Sequence, residues 1–106
     1  MTEVNFYTAK NGELLGFHIQ GHSGFAESGE DIVCAAVSSA VYLVINTITD
    51  VMHIDAEVEV ADGDAVLRIL SKHAVPCRDI LQGLKLHLLN LEEQYNDFLI
   101  VEYTEV

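Results

Sequence analysis

Apolar and polar residues alternate near the start of the chain: Val4, Phe6 and Thr8 share one side, and Asn5 and Tyr7 the other. That period of two is the mark of a half-buried strand. Leu14–Gln20 reads as a second strand, and Lys10-Asn11-Gly12 between them is a turn signal, so a hairpin is expected. Gly21 to Glu30 carries three glycines and two serines with little apolar content, and reads as a mobile loop. From Asp31 to about Met52 the spacing predicts one long helix. Its apolar residues, among them Ile32, Val33, Val37, Val41, Leu43, Val44 and Ile48, cover most of the circumference rather than one stripe.

Ala56–Ala61 alternates again, Asp62-Gly63-Asp64 turns the chain, and Ala65–Leu70 runs back as a second hairpin. Pro76 suggests a helix start, with the helix running from about Cys77 to Tyr95 on a stripe of Leu81, Leu84, Leu88, Leu91 and Tyr95. Leu86 and Leu89 fall off that stripe. Phe98–Tyr103 reads as a closing strand. The order β-β-α-β-β-α-β predicts an α+β fold, a single domain over residues 1–106 with one mainly antiparallel sheet and two helices. A helix as apolar as the first needs cover on two sides, and a homodimer is the preferred source of that cover over internal packing.

Composition narrows the class. The 106 residues leave room for one core, and an apolar content of 50% suffices to build it. Seventeen acidic against five basic side chains give a formal charge of −12. That balance argues against direct nucleic-acid binding, which needs cationic groups. It favours a basic partner drawn by the opposite field, although acidity can also serve solubility alone. MTEVNFYTAK lacks the form of a signal peptide, and the apolar stretch Ile32–Ile48 is interrupted by polar residues and slightly short for a span. The expectation is a soluble, cytoplasmic protein without a membrane partner, whose two cysteines are free thiols.

Cys34 falls in the first turn of the first helix, where unpaired N–H groups and the positive end of the dipole favour a thiolate. His22 lies at the end of the second strand, and a loop that folds back would bring it to Cys34 as a general base. The first-turn N–H groups could also stabilise an oxyanion. From these positions alone, a buried small cysteine and an exposed loop histidine are the commoner explanation of the residues. Asp31 can orient the imidazole or simply begin the helix, and Ser38, one turn after Cys34, can contact substrate or bond back to a carbonyl. Cys77 is a rival nucleophile beside Arg78, read as structural because its nearest histidine, His73, is expected near a strand end. His53 and His87 have no assignable partner. Neither a metal site, for which His18 and His22 are too far apart on an extended segment, nor a phosphate loop is indicated, and no cofactor is expected.

The run Gly21-His22, Gly24, Gly29, Asp31-Ile32-Val33-Cys34-Ala35-Ala36-Val37-Ser38 resembles the signature of the Prp family, the ribosomal-processing cysteine proteases, and the likeness extends over the whole chain. The resemblance implies a homodimeric cysteine endopeptidase of Firmicutes and related bacteria. Its substrate would be a large-subunit ribosomal protein made with an N-terminal extension, cut after an aromatic residue. It places the catalytic pair on His22 and Cys34, gives Asp31 and Ser38 supporting or substrate-contacting roles, and makes the intervening loop one that moves to admit substrate. Two other readings compete: a non-catalytic acidic dimer that chaperones a basic ribosomal protein, and a thiol-redox protein pairing Cys34 with Cys77.

Overall fold

The computed structural model describes residues 1–21 and 31–106. Five strands form one mixed sheet in the order β3-β4-β2-β1-β5. They are β1 (Thr2–Thr8), β2 (Leu14–Gln20), β3 (Glu57–Ala61), β4 (Asp64–Arg68) and β5 (Leu99–Glu105). Two helices, α1 (Ile32–Asn46) and α2 (Ala74–Gln94), complete the expected β-β-α-β-β-α-β order. Both hairpins are antiparallel, as is the β2–β4 pairing, whereas β5 runs parallel to β1.

The alternation in the strands decides which face the helices cover. Val4 pairs with Ile19 and Phe6 with Phe17, which in turn faces Leu67, so these residues share one side. They form a single core with Val37, Val41, Val44 and Ile48 of the first helical segment and Cys77, Leu81, Leu84 and Leu88 of α2. Glu3, His18, Gln20, Glu57, Glu59 and Glu102 have the opposite parity and lie on the sheet's other face.

Element boundaries differ from the sequence expectation where tertiary pairing or helix chemistry intervenes. The α-helical pitch ends at Asn46 rather than near Met52. A wider turn over Thr47–Val51 follows, in which the Met52 N–H reaches back five residues to the Thr47 carbonyl at 2.8 Å. Thr47 and Thr49 hydroxyls donate to the Leu43 and Ile45 carbonyls, at 2.7 and 3.0 Å, which competes with the regular ladder. His53, with φ at +55°, follows the end of this segment. Helix α2 begins at Ala74, three residues before the expected Cys77, because a proline is tolerated anywhere in a first turn where no N–H acceptor is needed. Parallel pairing with β1 carries β5 on to Glu105, past the expected Tyr103.

The expectation of an apolar first helix too broad for its own sheet is met. Val33, Val37, Val41, Val44, Ile45 and Ile48 are buried, while Ile32, Tyr42 and Leu43 remain exposed. With the turn that follows it, the segment Ile32–Val51 is 20 residues long and by length and apolar composition alone sufficient to cross a membrane, longer than the sequence reading allowed. In this fold one side of it is packed against the sheet.

Gly16 is where β2 meets β4 most closely. Its φ is +142°, and a Cβ there would stand 2.0 Å from the Leu67 carbonyl oxygen. Gly12, in the hairpin turn, has φ of +87° but open space around it. Gly12→Ala should therefore cost only the left-handed strain, about 1–2 kcal/mol. Gly16→Ala must in addition push two paired strands apart, and should cost ~3 kcal/mol or more. Urea unfolding of the two variants checks the order, and equal losses would contradict it.

Candidate active site

The start of α1 is built around a single side chain. Asp31, only 8% exposed, is the N-cap, with extended backbone angles of −76° and 99°. Its Oδ1 accepts the Cys34 backbone N–H at 2.9 Å, and its carbonyl accepts the Ala35 N–H at 3.0 Å, the first bond of the helix. Cys34 is thus the third residue of the helix, in the region of positive dipole that the sequence predicts. Because its own N–H is held by Asp31, the first-turn donors preceding it are those of Ile32 and Val33.

Cys34 and Ser38, one turn apart, line the same cleft of about 110 Å³. The facing wall comes from the ends of β2 and of the β3–β4 hairpin, including Ile19, Gly21, Asp62 and Asp64. A backbone bond from the Gly21 N–H to the Gly63 carbonyl, 2.8 Å, ties these two walls together. Gly21 has φ of +86°, and a Cβ there would lie 2.7 Å from the Met1 carbonyl oxygen, so the chain leaves β2 at a point only glycine fits. His22 follows directly, but it and the rest of the expected loop to Glu30 lie outside the described residues.

The remaining candidates disperse. Cys77 is fully buried in the core on α2, and burial pushes its thiol above the ordinary value. It is a free thiol, whereas Cys34 keeps partial exposure. His73 sits in the short 3₁₀ turn before α2. His18 is paired through Nε2 with Asp64 Oδ1 at 2.5 Å. His87 lines a separate groove between α1 and α2. Among the described residues no group of three potential metal ligands converges.

Sequence reasoning missed the hairpin wall. Asp62-Gly63-Asp64 is legible as a turn, but its place beside Cys34 depends on the strand order, which no local pattern encodes. It also missed Thr2, which lines the cleft from the start of β1.

A family model described as cysteine protease Prp matches residues 1–100. The chain belongs to the Prp family of cysteine proteases. One relative, the ribosomal processing cysteine protease Prp of Staphylococcus aureus, is 26% identical over 105 residues, covering 97% of this chain and 99% of its own. The protein of the same name from Bacillus subtilis is 43% identical over 35 residues, about a third of each chain. The crystal structure of the S. aureus Prp with a covalently linked product peptide superposes with a TM-score of 0.90, at 25% identity over 98% of this chain and all of that one. This Prp protease therefore shares both the family and the fold that its signature implies.

Two outcomes follow from the site's geometry. Asp31→Ala removes the acceptor of the Cys34 N–H and should cost about 1 kcal/mol, whereas Asp31→Asn retains an acceptor and should cost less. Thermal unfolding checks the order. Iodoacetamide should modify one cysteine, Cys34, in the folded protein and both in urea; rapid native modification of Cys77 would contradict its place in the core. Because the folded Cys77 pKa is raised, its contribution to stability is complete below the unfolded thiol value. It is lost as pH rises through the folded one, so stability should fall in that alkaline window.

Proposed function

We propose that this Prp protease removes the N-terminal extension of a large-subunit ribosomal protein, with Cys34 as nucleophile and His22 as general base. The observation that carries this reading is Cys34 on a capped helix start, opening on a cleft whose opposite wall includes Gly21, the residue before His22. The S. aureus relative, on the same fold, holds a covalently linked product peptide, which supports peptide binding and cleavage by this fold.

In this mechanism His22 accepts the Cys34 proton and the thiolate attacks the scissile carbonyl carbon. Negative charge on the carbonyl oxygen meets the positive end of α1, at the Ile32 and Val33 N–H groups. The tetrahedral adduct collapses to a thioester, and the amine of the mature protein leaves with the proton from His22. A water then gives its proton to His22 and attacks the thioester carbonyl, and the thiol returns as the extension departs as an acid. Ser38 contacts the substrate from the same face of the helix, and Asp31 supports the site by holding Cys34 in register.

A ribosomal protein is basic, so the charge of −12 accelerates its encounter with the enzyme in the cytoplasm. The protease acts as a homodimer. A second copy covers the apolar side of α1, where Ala36, Ala40 and Leu43 line a groove of about 640 Å³ with Ile80 and Leu84 of α2. Leu43 is 64% exposed there in the single chain.

Mass spectrometry of the extended ribosomal protein after incubation should show loss of the extension with the wild type. Cys34→Ala and His22→Ala should each lower the cleavage rate at least ~1000-fold while folding normally, a loss of the size expected for members of a nucleophile–base unit. Normal cleavage by either variant would sink the assignment. Leu43→Asp should convert the dimer to a monomer in sedimentation experiments, and an unaffected dimer would place the interface elsewhere.

A further inference from the structure

The two edges of the sheet, β5 and β3, are finished differently. On β5 the Val101 N–H is taken by the Glu92 carboxylate of α2 at 2.5 Å, and the Lys85 ammonium lies over the Tyr103 ring at 5.1 Å. On β3, Ala61 and Asp64 flank a two-residue turn, so they form the hydrogen-bonded pair that closes the hairpin. Alternation puts the Glu59–Val66 and Glu57–Arg68 pairs in the same class, and turns the N–H and C=O groups of Val58 and Val60 away from β4. Among the described residues nothing takes these groups, and Val60 is 48% exposed. An open row of this kind is a template for another extended chain. Native proteins commonly blunt it with a proline, a bulge or a lysine, none of which interrupts β3.

This edge leads to the site. Ala61, at the end of β3, and the Asp62–Asp64 turn line the cleft that contains Cys34. Glu57 and Glu59 lie beside the edge on the outer face of the sheet, while Val58 and Val60 share the helix side with Leu67 and Ala65. A second copy pairing β3 with β3 would set these glutamates against one another, and like charges across a strand pair repel. A basic chain is attracted instead. We propose that β3 is a substrate-docking edge: the polypeptide on the acyl side of the scissile bond adds to it as a further strand and passes along Ala61 into the cleft. Its carboxyl end lies at Cys34, past the end of β3, so the added strand runs parallel to β3. Side chains opposite Val58 and Val60 are apolar, and the one opposite Glu59 is basic. The acyl side is the part held through both formation and hydrolysis of the thioester, so contacts made there serve both steps. This rests on the reading that the Cys34 cleft holds the scissile bond.

The test follows alkylation of Cys34 by acetyl-peptidyl chloromethyl ketones ending in phenylalanine, in which the thiolate displaces chloride and forms a thioether. Alternating valine and lysine extend the probe from one residue to about six, or ~20 Å of strand. Second-order rates are normalised to iodoacetamide. In the wild type the longest probe should react about tenfold faster than the shortest, the return of a few strand hydrogen bonds. Val60→Pro removes an outward N–H without touching the ladder to β4, and should abolish that gain, whereas Val60→Thr should keep it. Glutamate in place of lysine in the probe should slow the wild type, and the double variant Glu57→Lys, Glu59→Lys should reverse that preference. This second arm decides the matter even where the proline disturbs the fold. A rate independent of probe length would overturn the proposal, as would a gain that survives Val60→Pro or a charge preference that the double variant leaves unchanged. So would a Cys34 that iodoacetamide alkylates and no peptidyl probe does. A wild type that shows the length gain but leaves the extended ribosomal protein uncut strikes the proposed substrate and upholds the docking edge.

Discussion

Burial of one face of α1 against the sheet is the constraint from which the site follows. Val37, Val41 and Val44, each nearly or fully buried, place the helix in the core it shares with the strands. The stripe fixes the helix's rotation, and with it the direction in which Cys34 and Ser38 point. Asp31 then stops the helix at a defined residue by taking the Cys34 N–H. The cysteine is consequently held on a rigid element at a helix start.

The two cysteines of this chain stand in different environments. Cys77 also lies in the first turn of a helix, but its side chain is fully buried in the core, where burial disfavours the thiolate. Cys34 opens on a cleft between α1 and the strand ends. Both lie near a helix start, Cys34 third in α1 and Cys77 fourth in α2, and they face different surfaces. In the proposed function the acidic balance of the chain acts at longer range, through encounter with a basic substrate rather than through the chemistry of the bond.

The elements themselves were largely legible from periodicity. Alternation located β1 and β2, and the turns at Asn11-Gly12 and Asp62-Gly63 located both hairpins. The boundaries that moved did so for reasons outside local pattern. Backbone bonding by Thr47 and Thr49 reshaped the end of the first helix, and pairing with β1 lengthened β5. At the site, Cys34, Ser38 and Asp31 could be placed on one helix start by spacing alone. Thr2 and the Asp62–Asp64 turn could not, since they reach the cleft only through a strand order that joins residues far apart in sequence. The apolar excess on α1 was visible as a surplus of valine, isoleucine and leucine, and the exposed Leu43 and Ile32 give that surplus a place in the fold.

The central claim is that catalysis passes through a bond to the sulfur of Cys34. Acid quenching of a single turnover with the N-terminally extended ribosomal protein, followed by peptide mapping, tests it most directly. The account predicts a transient thioester joining the extension to the peptide that carries Cys34, with Cys77 unmodified. Cleavage that proceeds with the acyl group on Cys77, or with no acyl-enzyme during a turnover in which thioester hydrolysis is slowed, would contradict it.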